Sequence, residues 1–392
     1  MGPPLDRRAT LRRFAGPAAV SFALLLAGYL RTAEGAQHPS PWGYRTWAFG
    51  ALAYSDIIAL HEDRGARTHA FPYLQDKVEY PVLMGLGMWW PSVIAPGRRG
   101  YFALTYAALA LCALAVLWFV AALPGSRPWI WGASPALLVY TGLNWDMFGI
   151  LPLAAGIWLW AKGRERAGAA VLALAVCTKL FPLLVLGVLL LTSLRKGLRH
   201  ALVLFGILCA VALAVNLPFA LTARENWLWF FRYSSVREIE PSLYLLMGAD
   251  PRAFVPQANL ISAAATLGAA AALAGVELRT RRLDPLPAAC GLVCIFFAAN
   301  KVFSPQYWLW VVALIALAGA PTWLAAALAA LSLADFVVSF SFLHLQSDRA
   351  WAQVNWFAHS VFWPMVALRN AALLSCALWS FSHCLRRERA EV

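Results

Sequence analysis

Apolar runs separated by short polar turns follow one another along nearly the whole chain, and this pattern constrains the fold more than any motif does. Hydrophobic residues make up 61% of the 392 residues, and charged residues only 13%. Soluble domains have roughly 45–50% apolar and about 25% charged residues, and one soluble core cannot bury so much apolar surface. The composition therefore excludes a soluble enzyme and a disordered chain. It predicts an all-α polytopic membrane protein.

Twelve of these runs are long enough, or nearly so, to cross a bilayer as helices. They lie at about residues 14–29, 101–122, 131–143, 147–161, 167–178, 181–194, 200–218, 257–276, 286–299, 307–320, 322–342 and 355–383. The first run follows a double arginine, so a cleaved twin-arginine signal peptide is an alternative there. We favour an uncleaved first helix, because polytopic chains usually begin with a signal anchor. Alternating crossings then place both termini in the cytoplasm.

The net charge of +13 is concentrated in short clusters between the runs rather than on one face. The clusters are Arg7, Arg8, Arg12, Arg13; Lys162, Arg164, Arg166; Arg195, Lys196, Arg199; Arg279, Arg281, Arg282; and Arg386, Arg387, Arg389. With twelve crossings they all fall in the cytoplasm, as the positive-inside rule requires of a multi-pass plasma-membrane protein. The pattern gives no basic face for nucleic acid.

The cysteines predict neither disulfides nor a metal centre. Cys112, Cys209, Cys290, Cys294 and Cys376 lie inside apolar runs, where they behave as small hydrophobic residues. Cys290 and Cys294 are one helical turn apart, but neither their spacing nor their surroundings are those of a zinc site. We expect no metal.

Polar residues gather on the opposite, extracytoplasmic side of this topology. Residues 31–100 form a long first outer loop with surface helices, and residues 219–256 form a second large outer loop. The remainder belongs to the same integral-membrane domain, which covers residues 1–392. The first loop contains Asp56, His61, Glu62, Asp63, His69, Asp76 and Glu79. The cytoplasmic turns contain neither a glycine-rich phosphate loop nor an acidic metal cluster, so the chemistry is expected outside.

Three acidic residues could take part in that chemistry. Asp56 lies in the apolar segment 53–60, which is typical of an amphipathic helix at a membrane surface. A carboxylate half out of water there can have its pKa raised and accept a proton from a hydroxyl, or it can simply cap a helix. Glu79, beside Tyr80, could hold a sugar hydroxyl or cap a helix at a membrane re-entry. Asp335 lies at membrane depth, which indicates a functional site unless the acid pairs with a buried partner.

Other polar residues lie at the outer ends of apolar runs. Asn144 and Asp146 either hold substrate or only form a tight turn. Lys179 and Lys301 are unusual on the outer side. A lipid phosphate would explain both lysines, and snorkelling to lipid headgroups is the alternative. Arg237 faces the same side in the second outer loop.

Two functions remain open: an enzyme acting on a membrane-bound anionic donor, and a transporter or flippase of lipid-linked sugars. Transporters tend to show internal repeats and polar residues at the bilayer midplane. We find no convincing repeat, and the polar residues gather at one face. The topology therefore favours the enzyme.

Several short motifs occur in a fixed order between about residues 40 and 320. They are Tyr54-Ser55-Asp56-Ile57, Glu79-Tyr80-Pro81-Val82, Asn144-Trp145-Asp146, Thr178-Lys179-Leu180-Phe181-Pro182, Arg237-Glu238-Ile239-Glu240-Pro241-Ser242 and Lys301-Val302-Phe303-Ser304-Pro305-Gln306-Tyr307. The ordered set resembles glycosyltransferase family 87, the actinobacterial polyprenyl-phosphate-mannose-dependent alpha-mannosyltransferases of the GT-C superfamily. Beyond about residue 320 only the hydropathy is similar.

The resemblance implies a GT-C fold and an inverting transfer of a mannosyl or related hexosyl unit from a polyprenyl phosphate on the extracytoplasmic face. The acceptor would be a hydroxyl of a lipid-linked or cell-envelope glycan. The resemblance also implies a catalytic aspartate in the first outer loop, which corresponds to Asp56. The leaving phosphate is a stable anion that needs only cationic partners, so no metal cofactor is required. We expect the donor phosphate to be bound by Lys179, Lys301 and Arg237. We expect sugars to be held by Glu79, Tyr80, Asn144, Asp146 and Gln306.

Overall fold

The computed structural model describes residues 3–38, 41–62, 65–95 and 97–385. Asp63 and the basic cluster Arg386, Arg387 and Arg389 lie outside these residues. The described part is helical, with isolated bridges in place of strands. Its helices are α1 (Arg7–Ala33), α2 (Pro41–Gly50), α3 (Asp56–Ala59), α4 (Val82–Ile94), α5 (Arg98–Ala122), α6 (Pro128–Gly132), α7 (Pro135–Tyr140), α8 (Met147–Ala161), α9 (Glu165–Val176), α10 (Pro182–Ser193), α11 (Leu198–Thr222), α12 (Arg224–Val236), α13 (Leu243–Leu246), α14 (Val255–Thr280), α15 (Pro285–Ala299), α16 (Tyr307–Ala318), α17 (Thr322–Ser347), α18 (Trp351–Phe357) and α19 (Trp363–Ser382).

Among the described residues, six helices are long and apolar enough to cross a membrane. They are Arg7–Gln37, Arg98–Ala122, Leu198–Thr222, Val255–Thr280, Thr322–Ser347 and Trp351–Ser382. The chain therefore has the build of a multi-pass helical membrane protein. Five further predicted runs form shorter helices, α8, α9, α10, α15 and α16. The 15 residues of α8 extend about 22 Å, less than the roughly 30 Å of a hydrocarbon core. Helix length alone thus gives six spans rather than twelve.

The run at 131–143, predicted as one helix, is two short helices, α6 and α7. Pro135 has no N–H to donate and disfavours helical backbone at the residue before it. Ser134 accordingly adopts an extended conformation and caps the second helix, its hydroxyl accepting from the N–H of Ala136. The single helix expected over this run is therefore wrong.

Ion pairs gather the basic turns at one end of the bundle. Arg195, between α10 and α11, binds Glu277 near the end of α14, with Nε 2.6 Å from Oε1. Lys196 Nζ lies 2.9 Å from Glu165, at the start of α9. Arg13 of α1 donates to the backbone carbonyls of Ala121 and Leu123 at the end of α5. The basic clusters at 162–166, 195–199 and 279–282 therefore lie together.

The two predicted outer loops lie at the other end and contain helices of their own. The first runs between α1 and α5 and contains α2, α3 and α4, while the second, between α11 and α14, contains α12 and α13. The short helices also terminate here: α8 and α16 begin directly after Asp146 and Gln306, and α15 ends directly before Asn300. The candidate polar residues lie close together because these helices begin or end at the motifs.

Helices α8 and α9 form a closely packed hairpin. A Cβ added at Gly168 would lie 2.9 Å from the carbonyl oxygen of Gly156, and one at Gly156 would lie 2.6 Å from Leu172 Cγ. The backbones can approach this closely because both positions lack side chains, a common device between membrane helices. Asp146 directly precedes the hairpin and the Thr178–Lys179 turn follows it, so the hairpin positions both.

Candidate functional site

Asp56 is held at the first position of α3 beside the turn that precedes α8. Its backbone N–H donates to the carbonyl oxygen of Leu143 at 2.8 Å. This contact brings the carboxylate to Asn144, which lies 88 residues later in the chain. Asn144 Nδ2 donates to Oδ2 at 2.9 Å, and the hydroxyl of Tyr54 donates to Oδ1 at 3.0 Å. Two neutral donors thus orient the carboxylate.

The position of Asp56 bears on whether it serves only as a helix cap. Ser55 is the residue that precedes α3, and Asp56 is already inside the helix. Within the described residues, the Asp56 carboxylate accepts from side chains and from no backbone N–H. The residue is partly exposed.

The surroundings of Asp56 alter its acidity. Burial raises the pKa of its carboxyl above the usual range of an aspartate. The hydrogen bonds from Asn144 and Tyr54 oppose this effect by stabilising the charged form, whereas the charges of Glu79 and Asp146 reinforce it. A carboxylate with a raised pKa accepts a proton more readily, which is what a general base requires.

Asn144 connects Asp56 to Tyr80. The same Nδ2 group lies 3.1 Å from the Tyr80 hydroxyl. Its Oδ1 accepts from the backbone N–H of Trp145 at 2.7 Å, so the amide cannot rotate freely. Lys179 Nζ lies 5.5 Å from the centroid of the Tyr80 ring and 5.1 Å from that of Tyr307, within the range of cation–π attraction. The network therefore runs from the acid to a cation.

Asp146 neutralises Lys179. Its carboxylate is fully buried, lies 3.0 Å from Lys179 Nζ and accepts from Trp310 Nε1 at 2.6 Å. The sequence predicts that Asp146 holds a sugar. In the structure, however, its buried carboxylate contacts the protein side chains of Lys179 and Trp310. Lys179 is therefore a cation whose charge is already compensated.

Lys301 and Arg237 differ from each other in whether a carboxylate pairs with them. Arg237 Nε donates to Glu240 Oε1 at 2.8 Å, so that guanidinium is paired. Lys301 Nζ donates to the carbonyl oxygen of Ser235 at 3.1 Å, and no described carboxylate lies within ion-pair distance of it. Burial lowers the pKa of Lys301, and the nearby charge of Arg237 lowers it further. Lys301 is thus the cation whose charge would gain most from an anionic ligand.

A cavity of about 600 Å³ joins these cations to a lipid-facing surface. Its polar end is lined by Glu79, Tyr80, Lys179, Arg237, Asn300, Lys301 and Tyr307. Its apolar end follows α10 and α14 and includes Leu183, Ala263 and Leu267. Leu183 is 44% and Leu267 69% exposed on a face that is apolar enough to contact lipid. The lining thus combines cationic side chains with an apolar, partly exposed helix surface.

The predicted site residues fall into two layers. Those that line the cavity are Glu79, Tyr80, Lys179, Arg237 and Lys301. Those that lie outside its lining are Asp56, Asn144, Asp146 and Gln306. Asp56 and Asn144 reach the cavity wall through Tyr80, whereas Gln306 is nearly buried directly before α16.

Sequence reasoning missed four aromatic residues of this site: Tyr54, Tyr233, Tyr307 and Trp310. Tyr54 donates a hydrogen bond to Asp56 and Trp310 donates one to Asp146, while Tyr233 and Tyr307 line the cavity. Tyr54 and Tyr307 each stand within a quoted motif, which could have indicated them. Trp310 lies inside an apolar run, where a buried tryptophan has no distinguishing pattern.

Two other polar groups lie away from the cavity lining. Asp335 pairs with Arg369, 3.3 Å away, which confirms the buried partner considered as an alternative for this acid. The structure also brings Cys376 to Cys290 and Cys294, with the three sulfur atoms within 4.8 Å of one another. Thiol groups in such a cluster can hold a soft metal ion, so the absence of a metal stays a prediction.

Comparisons with protein-family models, curated proteins and solved structures find no match. The function must therefore be inferred from the residues of the site and from the motifs themselves.

Proposed function

We propose that this chain is a membrane glycosyltransferase that moves a mannosyl or related hexosyl unit from a polyprenyl phosphate to a hydroxyl of a lipid-linked or cell-envelope glycan. The observation that carries the proposal is one continuous arrangement. An oriented carboxylate, Asp56, is connected through Asn144 and Tyr80 to a cavity with cations at one end and a lipid-facing apolar surface at the other. The resemblance of the ordered motifs to glycosyltransferase family 87 supports the same reaction.

In the proposed reaction Asp56 acts as the general base. It accepts the proton of the acceptor hydroxyl while that oxygen forms a bond to the anomeric carbon of the donor sugar. The bond between this carbon and the phosphate oxygen breaks, and polyprenyl phosphate leaves with the electron pair. A single displacement inverts the anomeric centre. Tyr54 and Asn144 each donate to one carboxylate oxygen and so keep Asp56 oriented.

The donor would lie along the cavity with its phosphate at the polar end. We assign Lys301 to the phosphate first, since a charge-assisted contact is strongest where the cation has no competing acid. Arg237, which is paired with Glu240 but lines the same cavity, is the second cation that we assign to it. Lys179, already paired with Asp146, would stabilise the sugar-facing wall through Tyr80 and Tyr307. Glu79 and Tyr80 line the place where a sugar would sit next to the phosphate. The polyprenyl tail would follow α10 and α14 into the bilayer.

The proposal includes a GT-C architecture in the plasma membrane with twelve passes, the site outside and both termini inside. The shorter helices α8, α9, α10, α15 and α16, together with the broken pair α6 and α7 as the twelfth pass, would complete their passes because the cavity end of the bundle is recessed into the membrane. The basic turns at the opposite end support this orientation. No metal takes part, because the leaving group is an anion that the lysine and arginine can stabilise.

A transfer assay separates this function from lipid flipping. The purified protein is reconstituted with polyprenyl phosphate carrying radiolabelled mannose and with extracted envelope lipids and glycans. A transferase moves the label into a new product and releases polyprenyl phosphate, whereas a flippase leaves the donor intact on the other leaflet. Parallel donors carrying glucose or galactose identify the sugar. Label that stays on the donor under all conditions would contradict the proposal.

A further inference from the structure

An ion pair lies inside the bundle on the far side of the cavity wall. Arg369 of α19 and Asp335 of α17 are 2% and 0% exposed, with Nη1 of Arg369 and Oδ1 of Asp335 3.3 Å apart. Trp308 of α16 donates from Nε1 to Asp335 Oδ2 at 2.9 Å. Such a pair is weak evidence for stability, because replacing buried ion pairs by apolar residues is often neutral. The position of the ion pair indicates a role other than stabilising the fold.

The second guanidinium nitrogen of Arg369 reaches the segment that carries Arg237. Its Nη2 donates to the carbonyl oxygen of Pro241 at 2.6 Å, and Pro241 lies four residues after Arg237 in the second outer loop. The same guanidinium lies over the ring of Phe303, 4.5 Å from its centroid, two residues after Lys301. One side chain therefore contacts both segments that present the cavity cations.

These two segments are also joined to each other. Glu240 N–H donates to the carbonyl oxygen of Lys301 at 3.0 Å, and Lys301 Nζ returns a bond to the Ser235 carbonyl. A displacement of Pro241 would thus move Glu240, with its partner Arg237, and the backbone of Lys301 together. The Asp335–Arg369 pair is the anchor that ties this unit to α17 and α19.

We propose that Arg369 and Asp335 are positioning residues that hold the 237–242 and 300–306 segments so that Arg237 and Lys301 converge on one anion. The inference rests on the proposed function for the identity of that anion, the phosphate of the lipid-linked donor. Asp335 orients the guanidinium through its ion pair, and Arg369 contacts both Pro241 and Phe303. A planar guanidinium can make both contacts at once, whereas a lysine is a single point charge.

The test replaces the pair by apolar residues, Asp335→Leu with Arg369→Met, in the full chain. Backbone hydrogen exchange is measured for peptides covering 237–242 and 300–306, and the KM for polyprenyl phosphate mannose is measured beside kcat. We expect faster exchange in both segments and a KM raised about tenfold, the scale of one charge-assisted hydrogen bond, with kcat within about threefold. Arg195→Met with Glu277→Leu removes an ion pair at the opposite end and should change neither quantity.

Unchanged exchange in the two outer segments would overturn the inference whether or not the protein transfers sugar. Faster exchange with an unchanged donor KM in an active enzyme would also overturn it, since the pair would then be structural only. Faster exchange in a protein whose wild type transfers no sugar would contradict the proposed function but support the anchor. If the apolar variant does not fold, Arg369→Lys decides: an effect on both readouts supports the inference, and wild-type behaviour in both refutes it.

Discussion

Asp56 and Lys301 are titratable residues whose surroundings shift their acidities towards neutrality from opposite sides. Burial raises the pKa of the Asp56 carboxyl, and burial with the charge of Arg237 lowers the pKa of the Lys301 ammonium. The proposed reaction needs Asp56 without its proton and Lys301 with its proton. The two shifts therefore narrow the range of pH in which both groups are in the working state.

We expect a bell-shaped dependence of kcat/KM on pH. Below the raised pKa of Asp56 the base is protonated, so activity should begin to fall at a pH above the ordinary aspartate value of about 3.9. Above the lowered pKa of Lys301 the phosphate contact is lost, so activity should fall before the ordinary lysine value of about 10.4. Lys301→Arg should move only the alkaline limb, to higher pH. An alkaline limb that does not move in this variant would contradict the assignment of Lys301.

Lys301→Gln removes the charge while retaining a polar side chain of similar reach. Loss of one charge-assisted contact typically costs about 1.5–3 kcal/mol, so the KM for the polyprenyl donor should rise about 10–150-fold. Lys162→Gln, in an exposed turn at the opposite end, is the matched control and should leave the KM unchanged. Normal donor dependence in well-expressed Lys301→Gln would return Lys301 to the role of a headgroup anchor.

At the scale of helices, hydropathy predicted most boundaries because a long apolar run has few alternatives to a helix. The run at 147–161 coincides with α8, and the run at 257–276 lies within α14. Hydropathy failed at 131–143, where Pro135 breaks the helix. The predicted runs also leave out α4, which lies within the first outer loop, although surface helices are expected in that loop. The proline decides the backbone conformation there, and a hydropathy averaged over a window of residues does not detect such a break.

Gly168→Leu tests whether the α8–α9 hairpin depends on close backbone contact. A side chain there meets the Gly156 carbonyl and the Trp160 backbone, neither of which can move without separating the helices. Overpacking of this kind costs about 1–3 kcal/mol, so the variant should unfold at a lower temperature. Gly187→Leu is the control, because no atom lies within 4 Å of the added Cβ at that position on α10. Equal thermal stability of the two variants would contradict the close packing.

At the scale of the whole molecule, the sequence located the candidate residues but could not show how they meet. The motifs containing Glu79, Lys179 and Lys301 were recognised separately, and the cavity brings them together. The pairing of Asp146 with Lys179 was missed, since a contact between residues 33 positions apart follows from helix packing rather than from local pattern. The same applies to the partner of Asp335, which lies on a different helix.

The orientation of the bundle can be tested at the two ends of α14. Met247, which precedes this helix, is 82% exposed at the cavity end, and Thr280 ends it among the basic residues. In intact cells, Met247→Cys should react with an impermeant thiol reagent, and Thr280→Cys should react only after the membrane is opened. The native cysteines are buried or partly buried and provide the background. The reverse pattern would place Asp56 in the cytoplasm and contradict the proposed topology.

The most direct test of the proposed reaction is the turnover of Asp56→Asn. Asparagine has nearly the shape of aspartate and keeps one acceptor oxygen for the hydrogen bond from Asn144, while its NH2 group can donate to the Tyr54 hydroxyl, but it cannot take a proton at neutral pH. Asp250→Asn, in an exposed outer loop, is the matched control. With polyprenyl phosphate carrying radiolabelled mannose, we expect the Asp56 variant to insert, fold and bind donor normally while transfer falls about 10²–10⁴-fold, the usual contribution of a general base. Near-normal transfer by Asp56→Asn would show that Asp56 is not the base and would contradict the proposed mechanism.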